Sequence, residues 1–155
     1  MSKTITVLSL VAGMMFIVAC PSGRNLKPVN SISNIKSGGL SYREPGGMVF
    51  RDKVSWEIFW DNHCLAISAG GGKVAAPEVD FSSQMLVGVF SGEKPTGGYG
   101  IAIQRILESP KTVIVEYLEK SPAPDAIVTM AVTYPCHIVS LSRSEKNVVF
   151  KKVEK

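Results

Sequence analysis

The run Q-M-L-V-G-V-F at residues 84–90 decides the fold. It is apolar almost throughout and rich in β-branched and aromatic residues, which marks a core strand. Behind it come E-K-P-T-G-G-Y-G at 93–100 and the alternating run I-A-I-Q-R-I at 101–106, so a glycine-rich connection joins two strands. A phosphate-cradling loop would need a helix N-terminus and usually a closing lysine, and here a strand follows instead. The order Lys94-Pro95-Thr96-Gly97 fits a type I turn, with proline fixing φ at the second position, and Gly98 lets the chain re-enter the ladder at positive φ. Two readings stay open. Either the glycines serve backbone geometry alone and Tyr99 packs inward, or Lys94, Pro95, Thr96, Gly97, Gly98 and Tyr99 form a rigid tip for a protein partner.

Working outward, T-V-I-V-E-Y-L-E (112–119), A-I-V-T-M-A-V-T (126–133), H-I-V-S-L (137–141) and N-V-V-F-K-K-V (147–153) also read as strands, parted by proline- and serine-rich turns. Connections this short predict antiparallel neighbours, since parallel ones need long crossovers. Upstream, L-S-Y-R (40–43) and M-V-F-R (48–51) read as strands separated by an E-P-G-G turn (44–47). Asp52 is placed to cap a helix in which Trp56, Phe59, Trp60 and His63 share one face. Gly70, Gly71 and Gly72 mark a surface loop after it. The predicted class is mainly β (α+β): an antiparallel sheet or small β-sandwich of about six to eight strands with one packed N-terminal amphipathic helix.

The N-terminus has another character. Lys3 precedes an uncharged apolar stretch that ends at Cys20, the layout of a secretory signal peptide rather than a spanning helix. Ile17-Val18-Ala19-Cys20 resembles the lipobox of bacterial lipoproteins, in which the cysteine is lipidated and becomes the first mature residue. Several acyl chains anchor a protein firmly, at about 0.8 kcal/mol per buried methylene. The expected organisation is a signal peptide at 1–19, a lipidated flexible tether at 20–39 and one β domain at 40–155. The protein is then held in the cell envelope by lipid on Cys20, in the periplasm or on the outer surface of an outer membrane.

At 45% hydrophobic and 19% charged, the chain has the composition of a globular domain. Its net charge of +4 is a mild excess, without a stripe of Arg and Lys among aromatics, so nucleic acid is not an expected partner. Cys64 and Cys136 remain once Cys20 is lipidated. A disulfide between them would close a long loop, on the order of 4 kcal/mol by chain entropy; two buried thiols are the alternative. Catalysis would have to draw on His63, Cys64, Cys136 and His137. Adjacent residues on a helix diverge by about 100°, no orienting group accompanies them, and the 63–64 and 136–137 spacings do not fit zinc. Glu116 and Glu119 fall on opposite sides of one strand and make no acid–base pair. No catalytic residue, metal site or cofactor is expected.

The order S-W-E-I-F-W, P-E-V-D-F, Q-M-L-V-G-V-F, K-P-T-G-G-Y-G-I-A-I, V-I-V-E-Y-L-E with S-P-A-P, and T-Y-P-C-H-I-V resembles the C-terminal domain of the PrcB family, over about Leu40 to Phe150. K-P-T-G-G-Y is the most specific part. The resemblance implies a β-rich, non-enzymatic envelope domain, and the family's name implies a partner in a secreted or surface subtilisin-like protease complex, which the domain binds or stabilises. Cys136 stands where the family pattern usually has an aromatic, which with Cys64 supports a local disulfide slightly. The Gly70–Gly72 loop looks like an insertion. T-G-G-Y is also similar to the threonine-glycine-aromatic loop of chagasin-type inhibitors, so a peptidase inhibitor using Lys94 to Tyr99 is the alternative function.

Overall fold

The computed structural model describes residues 26–29, 33–35 and 39–154. The expected signal peptide at 1–19 and the lipidation expected at Cys20 lie outside them. Among the described residues the order is β1 (Lys27–Pro28), β2 (Ser33–Ile35), β3 (Pro45–Phe50), α1 (Lys53–His63), β4 (Gln84–Ser91), β5 (Gly100–Glu108), β6 (Thr112–Lys120), β7 (Cys136–Ser142) and β8 (Asn147–Lys152). They form two four-stranded sheets, β1-β5-β6-β8 and β2-β7-β4-β3. The open choice between single sheet and sandwich therefore resolves to two sheets, and the helix sits mid-chain, after β3, rather than at the N-terminus.

β4 lies between two cores. Met85, Val87 and Val89 face the other sheet and pack with Ile106, Val113, Val115, Val139 and Leu141. Leu86 and Phe90 face the helix and pack with Phe50, Trp56, Phe59 and Trp60. Both faces are dry, which is why this strand shows no apolar–polar alternation. Gly88 falls on the helix side, where a Cβ would stand 3.0 Å from the Phe90 ring and 3.2 Å from Ile138.

The helix forms as its sequence predicts. Asp52 has extended backbone and its Oδ1 accepts from Ser55 N–H at 2.8 Å. These serine bonds hold its carboxyl below the ordinary aspartate range. Trp56, Phe59 and Trp60 are buried, while His63, at the edge of the stripe, packs at 4.9 Å from both Tyr42 and Phe59. The two indoles also fasten the chain beyond the helix: Trp60 Nε1–H donates to Val74 O at 2.8 Å and Trp56 Nε1–H to Pro77 O at 3.0 Å.

Several expectations are corrected. β8 runs parallel to β6, because β7 lies in the opposite sheet and its flanking connections serve as the crossover. The Pro45-Gly46-Gly47 segment is no turn but the start of β3, and Leu40 makes only an isolated bridge to Cys64 instead of opening a strand at 40–43. Glycine is needed inside β3 because the Phe150 ring lies on it; a Cβ at Gly47 would sit 2.3 Å from Phe150 Cγ. Residues 126–133 form no strand either, and their Lys94–Thr133 bridge lies outside the named strands. Within the stretch read as a tether, Lys27 and Pro28 pair with Glu108 and Leu107, and Ser33–Ile35 pair with β7, so the flexible reading does not extend to them.

The Phe150–Gly47 contact ties the outer strands β8 and β3 of the two sheets together. Gly47→Ala is expected to lower stability by about 1–3 kcal/mol through forced displacement of that ring. Gly70→Ala, whose Cβ would meet nothing within 4 Å, serves as control in the same urea titration. Equal midpoints for the two variants would mean that the ring moves aside without cost.

Candidate functional site

β4 ends in one sheet and β5 begins in the other, so the 92–99 connection crosses between sheets. The 121–135 connection from β6 to β7 crosses back at the same end, as the pairs Gly100↔Lys120 and Phe90↔Cys136 require. The two crossovers lie against each other. Lys94 N–H donates to Thr133 O at 2.8 Å and Thr133 N–H to Lys94 O at 2.9 Å, while Gly97 N–H donates to Thr129 O at 2.9 Å. The Thr133 hydroxyl adds a bond to Thr96 O at 2.8 Å. Gly97 N–H thus goes to the neighbouring segment instead of closing a type I turn on Lys94.

The glycines permit that approach. A Cβ at Gly97 would stand 2.4 Å from Thr129 Oγ1, and one at Gly98 2.8 Å from Val128 Cγ1. Gly98 also has φ +84°, a left-handed conformation costly for other residues. Pro95 and Gly98 are exposed, whereas Lys94, Thr96, Gly97 and Tyr99 are half-buried. The Lys94 ammonium lies 5.7 Å from the Tyr99 ring centre, within cation–π range. Tyr99 is therefore neither a core ring nor a free one.

The covering segment carries what the sequence reading missed. Ile127 is 103% exposed, Met130 89% and Val132 53%. A strand over 126–133 would instead turn alternate side chains toward a core. The available signal was the flanking S-P-A-P-D, which keeps the segment out of a ladder.

The other candidates have structural occupations. His137, the second residue of β7, reaches across to the opposite sheet, where Ile103 N–H donates to its Nδ1 at 2.9 Å; its Nε2 stands 3.0 Å from Asn34 Oδ1. That pairing puts the ring proton on Nε2. The N–H it receives lies beside a β-bulge between Ile103 and Arg105. Burial holds the His137 pKa below the ordinary histidine value. Glu116, buried in β6, is ion-paired to Arg105 and to Lys151, and the Arg105 hydrogen bond above all holds its carboxyl below the usual range. Glu119 pairs with Lys152. No disulfide joins Cys64 to Cys136. Cys64 is 1% exposed and both cysteines pack into the helix–sheet core as small apolar side chains. Among the described residues, no group of three or more His, Cys, Asp and Glu could hold a metal, and no helix is long and apolar enough to cross a membrane.

The segment holding both crossovers is also the part with a recognisable family. Residues 85–142 match the PrcB C-terminal family. The match begins in β4 and ends with β7, so it takes in Lys94–Tyr99 and the covering segment but leaves out α1, and it is narrower than the Leu40–Phe150 resemblance. No curated protein and no solved structure matches the chain. In this PrcB-type region the conspicuous surface is the composite tip, with an apolar ridge standing on a hydrogen-bonded platform.

His137 makes stability depend on pH in a defined window. Its folded pKa is depressed, so the unfolded chain takes up the proton first as pH falls below about 6.5. Stability is then full above that value and declines toward the folded pKa. Urea midpoints between pH 5 and 8 should fall on the acid side for the wild type and vary less for His137→Gln; parallel curves would remove the residue from this role.

Proposed function

We propose that the protein is an envelope lipoprotein, anchored through lipid on Cys20, whose non-enzymatic β domain binds and stabilises a protein partner, a secreted or surface protease complex. The contact is the composite tip. The observation that carries this reading is the exposure of Ile127 and Met130 on a segment fixed to the Lys94–Tyr99 loop. Large apolar side chains held in water by a rigid support are characteristic of protein-binding surfaces. The match to the PrcB C-terminal family supplies the protease theme.

The direction of the tip supports a protein partner over the anchoring membrane. Lys27 pairs with Glu108 at the far end of β5, while the loop enters β5 at Gly100. Nine strand residues separate the two ends by about 30 Å. Leu26, the described residue nearest to Cys20 in the chain, thus adjoins the end of β5 opposite the tip.

The test is a photo-crosslinking residue placed at Ile127 in the full chain, in its native envelope. A discrete adduct containing a protease subunit is expected, lost when Met130→Asp is added. Because Met130 is exposed, that second change should alter stability by no more than about 0.5 kcal/mol. Adducts with lipid alone, or none, would remove the tip as the contact, and inhibition of a peptidase panel by the isolated protein would instead favour an inhibitor.

A further inference from the structure

A second surface lies away from the tip, along α1. The chain from Val74 to Phe81 runs beside the helix, held there by the two indole hydrogen bonds to Val74 O and Pro77 O. Between helix and chain is a groove of about 740 Å³. Its apolar floor includes Ala76, Val79 and Phe81, each half-buried and packed against the helix–sheet core. Its rim holds four carboxylates, Glu57, Asp61, Glu78 and Asp80, against the single ammonium of Lys53.

Of these carboxylates Glu57 is ion-paired, and Asp61, Glu78 and Asp80 make no salt bridge among the described residues. Lys53 pairs with Glu57 at 3.6 Å. Asp80 accepts from the Ser82 and Ser83 hydroxyls, neutral donors that fix its position and leave its charge in place. Lys73 reaches this region but donates to the Asp61 backbone carbonyl, not to its carboxylate. In a chain whose net charge is +4, this groove is a negative concavity. Walls of low dielectric focus such a field, and the indole bonds preform the cleft, so little ordering accompanies binding.

We infer that the groove between α1 and residues 74–81 binds an extended, cationic segment of another protein, seating an apolar side chain on Val79 and Phe81 between flanking lysines or arginines. Size and shape fit this occupant: the volume lies in the range of sites that take a few side chains, and the rim charges flank the apolar floor. The surface is distinct from the tip and does not depend on the function proposed above.

The probe is the end-blocked peptide Lys-Lys-Leu-Lys-Lys, titrated into the full chain and followed by the Trp56 indole resonance, which reports on the bond to Pro77 O. Saturable binding is expected, weakened roughly five- to tenfold by Asp61→Asn with Glu78→Gln and again by raising salt from about 0.05 to 0.3 M. The peptide with glycine in place of leucine should bind more weakly, and Ile127→Lys at the tip should change nothing. Absence of saturation, equal binding of the glycine peptide, or indifference to the carboxylate changes would each overturn the proposal.

Discussion

Everything in this molecule is arranged around a strand that has no wet face. β4 must be covered by apolar layers above and below, and among the described residues the aromatic stripe of α1 and the inward face of the second sheet supply them. The result is helix, sheet, sheet, with Leu86 and Phe90 committed to one interface and Met85, Val87 and Val89 to the other. A one-residue slip of β4 would exchange the two sets. It would also move Gly88 away from Ile138 of β7, its cross-strand neighbour, so the register is fixed from both sides.

The tip follows from the same arrangement. With β4 in one sheet and β5 in the other, the chain must cross the open end of the sandwich, and after the β5–β6 hairpin it must cross back to reach β7. Two crossovers at one end can satisfy their backbone groups by pairing with each other, and Lys94, Gly97, Thr129 and Thr133 do so. The glycines of K-P-T-G-G-Y therefore answer two demands together, left-handed backbone at Gly98 and contact with Val128 and Thr129.

What could be read from the sequence was what local chemistry determines. The Asp52 cap, the Trp56-Phe59-Trp60 face and the strands of residues 84–120 and 136–152 all follow from period and propensity. What could not be read depended on partners distant in the chain. Pro45-Gly46-Gly47 has the composition of a turn, and only the Phe150 ring, about a hundred residues later, gives glycine a place in that strand. Residues 126–133 alternate like a strand, yet β6 and β7, the strands before and after them in the chain, already have two partners each, and the segment is left as a cover. The parallel β6–β8 pairing was hidden for a similar reason: short connections exclude parallel neighbours within one sheet, but not across a sandwich where another strand makes the crossover.

His137 shows how these long-range demands are met with few residues. The bulge in β5 leaves the Ile103 N–H directed away from β6, where an unpaired donor would cost about 1–3 kcal/mol if buried. A neutral imidazole from the opposite sheet accepts it, and its second nitrogen reaches Asn34 in β2. One side chain thus joins the bulged strand, the central sheet and the N-terminal segment. This is a structural reason for histidine here, since lysine has no acceptor and a shorter amide would have to span the gap between sheets. Among the soft residues that first suggest catalysis, His137 thus has its Nδ1 lone pair engaged by the backbone N–H of Ile103.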